Sequence, residues 1–260
     1  FYLRRARRIL PALFFLILCS LPLAWFALLP SSFVGFSKSI YFSLGFSSNF
    51  YFYFTGLEYG AVDGLLKPLL HTWSLAVEEQ YYILFPVLLV LGHLFFKKKI
   101  NIVILSLLFL SLLFAEFFSD KNSNLNFYIL PSRAWELLAG SALVVLESKK
   151  NFKPSKLISN IFCSLGLVLI FFSFLYFYEP IPSPNLKNTI PIIGVLLILI
   201  FINQKTLIAK FLNNNLFVGL GLISYSLYLW HYPIFAFARN LRVAQGIVEY
   251  SLIGILIFLI

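Results

Sequence analysis

The sequence predicts an all-α, polytopic transmembrane helix bundle. Three observations carry that prediction. The chain is 60% hydrophobic and 12% charged, with a mean hydropathy of +0.91, more apolar surface than a soluble domain hides. Its apolar residues fall in runs close to the ~20 that a helix needs to cross a bilayer. Lysines and arginines recur after alternate runs, which is how cytoplasmic loops are marked.

The first predicted span is 9–29, preceded by Arg4, Arg5, Arg7 and Arg8. The stretch SKSIYFSLGFSSNFYFYFTG at 37–56 is aromatic and serine-rich and reads as interfacial or re-entrant, since aromatic belts sit at headgroup depth. Further spans are predicted at 73–96, 100–118, 133–147, 157–178, 189–203, 216–238 and 247–260, eight crossings in all. Lys97–Lys99, then Lys149, Lys150, Lys153 and Lys156, then Lys205 and Lys210 all fall on the side of the first arginines, the cytoplasm. Arg239 and Arg242 fall on the other side, either because the last spans are misplaced or because they form a pair facing an external anion. No internal repeat supports an inverted-repeat transporter.

The net charge of +10 admits two partners, nucleic acid or the anionic lipid facing cytoplasmic loops. The loop pattern selects the bilayer, with no nucleic acid. Cys19 and Cys163 lie in apolar runs and suggest neither a disulfide framework nor a metal site. There is no Met, the basic start leads into too long an apolar run for a signal peptide, and the last residues, Ser251–Ile260, are still apolar. The expectation is a piece of a longer protein, one membrane domain over 1–260, incomplete at its N-terminus and at its C-terminus.

Four polar groups interrupt the apolar pattern. In LHTWSLAVEEQYY, Ser74, Glu78 and Tyr82 share a helical face, with His71 one turn earlier and Glu79 turned away toward solvent. Counting crossings places this group at the external end of its span. It is either an interhelical hydrogen-bond cluster or a pocket for a hydroxylated substrate. In FYLRRARRILP, Arg5 and Arg8 lie at i, i+3; the arginines either set topology or hold phosphates through guanidinium forks. In PSRAWELLAG, Arg133 and Glu136 can neutralise one another one turn apart, and Gly140 would admit a neighbouring helix. In ISYSLYLWHYPI, Ser224, Tyr228 and His231 share a face before Pro233, as belt residues or as part of a site. No Gly-rich phosphate loop, paired Cys or zinc-hydrolase motif occurs.

These four stretches, in this order and spacing, closely resemble the acyltransferase-3 family of membrane O-acyltransferases, which typically acetylate sugars of lipopolysaccharide O-antigen, exopolysaccharide or peptidoglycan. The resemblance covers essentially the whole chain. It implies a bundle of about ten helices, with the family's first two preceding Phe1. Its presumed catalytic histidine would then lie upstream, so the catalytic residue within these 260 positions is unknown, and neither His71 nor His231 takes that role. This piece alone is then expected to be inactive.

Residue by residue, the resemblance makes Arg5 and Arg8 the donor-binding RxxR pair, linked to acetyl-CoA as co-substrate with no bound cofactor and no metal. Ser74, Glu78 and Tyr82 match the family's WSLxVExQFY segment, with Tyr81 where Phe is usual. With His71, Arg133, Glu136, Tyr228 and His231 they form the expected acceptor or channel set. The implied protein is multi-pass in the bacterial inner membrane. It moves an acyl group, acetyl in most relatives, from cytoplasmic acyl-CoA to hydroxyls of a cell-surface or lipid-linked glycan. The alternatives are a polytopic transporter or flippase and a non-catalytic glycan-binding relative.

Overall fold

A computed structural model describes residues 1–58, 62–96, 99–147, 154–177 and 183–241. Among them all regular structure is helical and no strand occurs, as the composition predicts. The α-helices are α1 (Tyr2–Ala27), α2 (Pro30–Leu44), α3 (Ser48–Gly56), α4 (Thr72–Phe96), α5 (Ile100–Lys121), α6 (Ser123–Tyr128), α7 (Leu130–Glu147), α8 (Lys156–Tyr176), α9 (Thr189–Phe201), α10 (Leu207–Leu212) and α11 (Asn215–Asn240). Of these, α1, α4, α5 and α8 are long and apolar enough to cross a membrane, and the stretch ending in α9 is apolar but shorter. The predicted spans at 133–147 and 216–238 form α7 and α11, which fall short of that apolar mark. Arg133 and Glu136 interrupt the first, and Asn215, Arg239 and Asn240 flank the second. The predicted span 247–260 lies outside the described residues.

The chain divides into two compact units, one of 1–83 with 219–260 and the other of 84–218. In the first, α1 begins at Tyr2, so the arginines ride its opening turns rather than a preceding loop; arginine is a good helix former. Its buried residues Ile9, Leu13, Leu16, Ile17, Ser20 and Ala24 recur at helical spacing. Phe15, Leu18, Trp25 and Phe26 are exposed, as an apolar solvent permits. The stretch 37–56 is divided between two short helices, broken at Gly45–Ser47. Phe46 there has φ 50°, a left-handed conformation uncommon without glycine. Gln80 fixes this turn by donating to the Phe46 carbonyl and to Asn49 Oδ1, both at 2.8 Å. Ser48 donates to the Thr72 carbonyl (2.9 Å), and the Ser43 and Thr72 hydroxyls lie 2.8 Å apart. The start of α4 is therefore held inside the unit, with Thr72 1% exposed.

In the second unit, Ser111 ties α5 to α7: its hydroxyl donates to the Pro131 carbonyl (2.5 Å) and accepts from the Trp135 amide (2.9 Å). The buried face of α8 carries Ser159, Cys163, Gly166 and Ser173, small groups that let α9 approach. A Cβ on Gly166 would lie 2.5 Å from the Gly194 carbonyl, and one on Gly194 2.7 Å from the Gly166 carbonyl. Gly140, expected to admit a helix, has nothing within 4 Å of a Cβ position. The close crossing in this unit belongs to the other pair, because it needs glycines on both helices at one level.

Candidate functional site

Three antiparallel contacts set the geometry of the first unit. The Tyr2 hydroxyl donates to the Ile83 carbonyl (3.0 Å), Arg5 pairs with Glu79, and Ile9 and Leu75 line one cavity. As α1 climbs from residue 2 to 9, α4 descends from 83 to 75. This overturns the expectation that the arginines and Glu78 lie at opposite membrane edges. Span counting assumes that each helix starts at an edge, whereas α4 starts from buried His71 and Thr72 inside the unit.

The result is a cavity of about 450 Å³ lined by Arg4, Arg5, Arg8, Glu78, Tyr82 and Tyr225. Glu79 was expected to be solvated. It is buried and takes Arg5 through both guanidinium Nε and Nη, and Arg5 also stacks 3.4 Å above the Tyr82 ring. Arg5 is therefore a fixed fork, a quarter exposed on its side chain. Arg4 and Arg8 are exposed at the cavity and make no ion pair among the described residues. Glu78 is exposed there too. Tyr225, which the sequence reading passed over, donates to the Ile9 carbonyl (3.2 Å) and closes the wall.

The predicted helical face splits above this level. Ser74 leaves Glu78 and Tyr82 and joins Tyr228, 2.7 Å away; Tyr228 donates to the His71 carbonyl (2.6 Å). The His71 ring packs among Tyr228, His231 and Tyr232 at centroid distances of 5.4, 5.7 and 5.6 Å. His231 Nδ1 donates to the Tyr228 carbonyl (2.6 Å), and Tyr232 to the Gly64 carbonyl (2.9 Å). His71 itself is 6% exposed, and neither ring nitrogen closes a hydrogen bond among the described residues. Burial, helped by the charge of His231, pushes its pKa down to about 3, so its imidazole is neutral. Ser224 stays outside this cluster, exposed and bonded to the Gly221 carbonyl. Pro233, which lies inside the predicted span 216–238, is buried within α11.

Arg133 and Glu136 belong to the second unit. They pair at 3.7 Å, and Arg133 Nε donates to the Phe127 carbonyl (3.0 Å), the local neutralisation their spacing suggested. Arg239 stacks 5.9 Å from the Phe235 ring; Arg242 lies outside the described residues. Among those residues no three His, Cys, Asp or Glu side chains cluster as metal ligands.

Comparison with known proteins decides the family. A family model described as "Acyltransferase domain", acyltransferase-3, matches residues 1–260. The chain belongs to that family. It is 27% identical over 248 residues to "Peptidoglycan O-acetyltransferase OatA" of Listeria monocytogenes, covering 90% of this chain and 39% of the relative. It is 29% identical over 253 residues to "Putative peptidoglycan O-acetyltransferase YrhL" of Bacillus subtilis, covering 90% and 39%. It is also 29% identical over 261 residues to a "Putative O-acetyltransferase" of Staphylococcus aureus (strain COL), covering 96% and 43%. The chain thus spans about two fifths of the length of the curated relatives it matches. No solved structure matches it significantly. With family and helices together, this is a multi-pass membrane protein of the acyltransferase-3 family.

Proposed function

We propose that this chain is the membrane part of an O-acyltransferase that moves an acetyl group from cytoplasmic acetyl-CoA to hydroxyls of an extracytoplasmic glycan. Peptidoglycan is the first candidate acceptor, because two relatives carry that name. The arginine-lined cavity carries the proposal: three guanidiniums face one exposed carboxylate, Glu78, beside an aromatic ring. That arrangement suits a phosphate-rich donor. Arg4 and Arg8 reach for phosphate oxygens, and Arg5, oriented by Glu79 and Tyr82, presents a fixed third charge. Transfer breaks the thioester C–S bond and releases CoA as the thiol, and the ester forms as the sugar hydroxyl takes the acyl group and gives up its proton to a base. Glu78 is the carboxylate placed at the donor end, where it can orient the donor or hand a proton to the departing CoA thiolate. The positive-inside rule puts the arginine end in the cytoplasm, which in turn suggests the bacterial inner membrane.

The test reconstitutes the whole gene product in liposomes with acetyl-labelled CoA and glycan chains. Label should enter the glycan, and Arg4→Ala with Arg8→Ala should abolish transfer while the protein still inserts. Equal transfer by that double variant would remove the donor role from this cavity.

A further inference from the structure

A second cavity lies in the first unit, of about 220 Å³, between α2, α3 and the segment leading to His71. Its polar lining is Ser31, Ser32, Tyr51, Thr55, Glu58 and Lys67, with buried Ser39, whose hydroxyl is spent on the Phe36 carbonyl at 2.6 Å. Ser31 and Ser32 follow the last residue of α1 by a few positions. They therefore sit at the opposite end of α1 from Arg5, about 33 Å along the helix at 1.5 Å per residue.

The hydroxyls are sorted into two kinds. Tyr51 and Thr55 spend their protons on the Gly35 and Tyr51 carbonyls, each at 2.9 Å, so their oxygens remain as acceptors. Ser31 and Ser32 have no hydrogen-bond partner among the described residues and can donate or accept. Lys67 Nζ makes one long contact there, 3.5 Å to Thr55 Oγ1, which leaves ammonium protons unmatched. Burial lowers the Lys67 pKa below the ordinary lysine value, against the opposing pull of Glu58. A half-buried ammonium with unmatched protons is a poor structural element and a good ligand group.

We infer that this cavity binds one pyranose ring of a glycan through its hydroxyls, with Lys67 donating, Glu58 accepting, and the Ser31 and Ser32 hydroxyls doing either. The inference rests on the acyltransferase reading, for which it supplies an acceptor subsite. One cation and one carboxylate leave no net charge for an anion, whereas a ring carrying hydroxyls on every side uses donors and acceptors together. The volume is below the roughly 300–1,000 Å³ of pockets that enclose drug-sized ligands, which fits one ring rather than a chain. A polymer end and a sugar head on a lipid carrier present the same ring.

The experiment is equilibrium binding to the purified whole gene product in nanodiscs, read without acyl donor. The probes are a soluble β-1,4-linked N-acetylglucosamine tetramer and a glycolipid with the same head. Lys67→Met and Ser32→Ala are the variants; the Ser32 hydroxyl has no partner to lose, so that protein folds as before. The expected result is binding of either probe, weakened about tenfold or more by each variant, the soluble tetramer pointing to a polymer acceptor and the glycolipid alone to a lipid-linked one. Unchanged binding in both variants overturns the inference, as does the absence of binding by either probe. Displacement of the sugar by inorganic phosphate or anionic lipid, but not by other sugars, also overturns it and makes the cavity an anion site. Because no donor is present, failure of acetyl transfer leaves this readout standing, and the two proposals fail separately.

Discussion

Arg5 and Glu79 are 74 positions apart in sequence, and their side chains close an ion pair in which the carboxylate is 8% exposed. One turn of α4 away, Tyr82 lies under the same guanidinium at 3.4 Å. The pair joins the opening turns of α1 to α4. Removing one partner of a buried pair strands the other charge; Arg5 is a quarter exposed, so water recovers part of the loss. Glu79→Gln should cost about 1–3 kcal/mol of stability, read as a lowered Tm in detergent. Glu78→Gln, one position away but exposed, should leave Tm nearly unchanged. Equal Tm shifts for the two would mean that the ion pair contributes nothing specific.

Arg8 faces the same cavity without an ion pair among the described residues. Arg8→Ala should therefore raise KM for acyl-CoA by about tenfold or more, since a charge-assisted contact is worth roughly 1.5–3 kcal/mol, and should leave Tm in place. Arg8→Lys should restore only part of the loss, because lysine lacks the bidentate fork. A full rescue by lysine would reduce Arg8 to a general positive charge.

Helix positions were legible because apolar runs of span length fix them, and α4, α5 and α8 follow the predicted runs within a few residues. The Arg4–Arg8 and Ser74–Tyr82 stretches were legible as polar groups that an apolar chain must explain. Their meeting was not. It depends on the vertical offset of α4 against α1, set by Gln80, Ser43 and Ser48 holding the start of α4 inside the unit. Glu79 was misread for the same reason: a helical wheel shows which way it turns, not that Arg5 waits there. Tyr225 carried a readable signal, standing at i−3 and i−7 from Tyr228 and Tyr232, but tyrosines are ordinary near membrane surfaces. The hydroxyl-lined cavity had no motif at all, because its residues come from three separate segments.

His71 makes acid sensitivity a specific expectation. Its pKa falls from the ordinary 6.5 to about 3 in the folded protein, and the rings facing it are Tyr228, His231 and Tyr232. Between those two values the unfolded chain binds the proton and the folded chain does not, so stability falls as pH falls. The stabilisation is complete above 6.5, declines by up to about 1.4 kcal/mol per pH unit below it, and levels off near 3. His71→Phe should flatten the Tm profile between pH 6.5 and 4.5. A variant with the same slope as the parent would show that other groups carry the acid response.

The crossing of α8 and α9 gives a prediction with its own control. At Gly166 an added Cβ would meet the Gly194 carbonyl at 2.5 Å and Ile198 Cγ1 at 2.9 Å. The first of these is backbone and cannot rotate away. Gly166→Ala must therefore push the helices apart, and overpacking of this kind costs about 1–3 kcal/mol, outweighing the helix-propensity gain of roughly 0.5–1 kcal/mol that alanine brings over glycine. Gly194→Ala meets the reciprocal obstacle, the Gly166 carbonyl at 2.7 Å. Once either alanine has separated the helices the second finds room, so the double variant should lose less than the sum of the single losses. Gly140→Ala meets nothing within 4 Å and should hold or raise Tm through propensity alone. Thermal unfolding of the four variants in one detergent decides the matter: a Gly166→Ala protein as stable as Gly140→Ala would mean that the helices do not cross at these glycines.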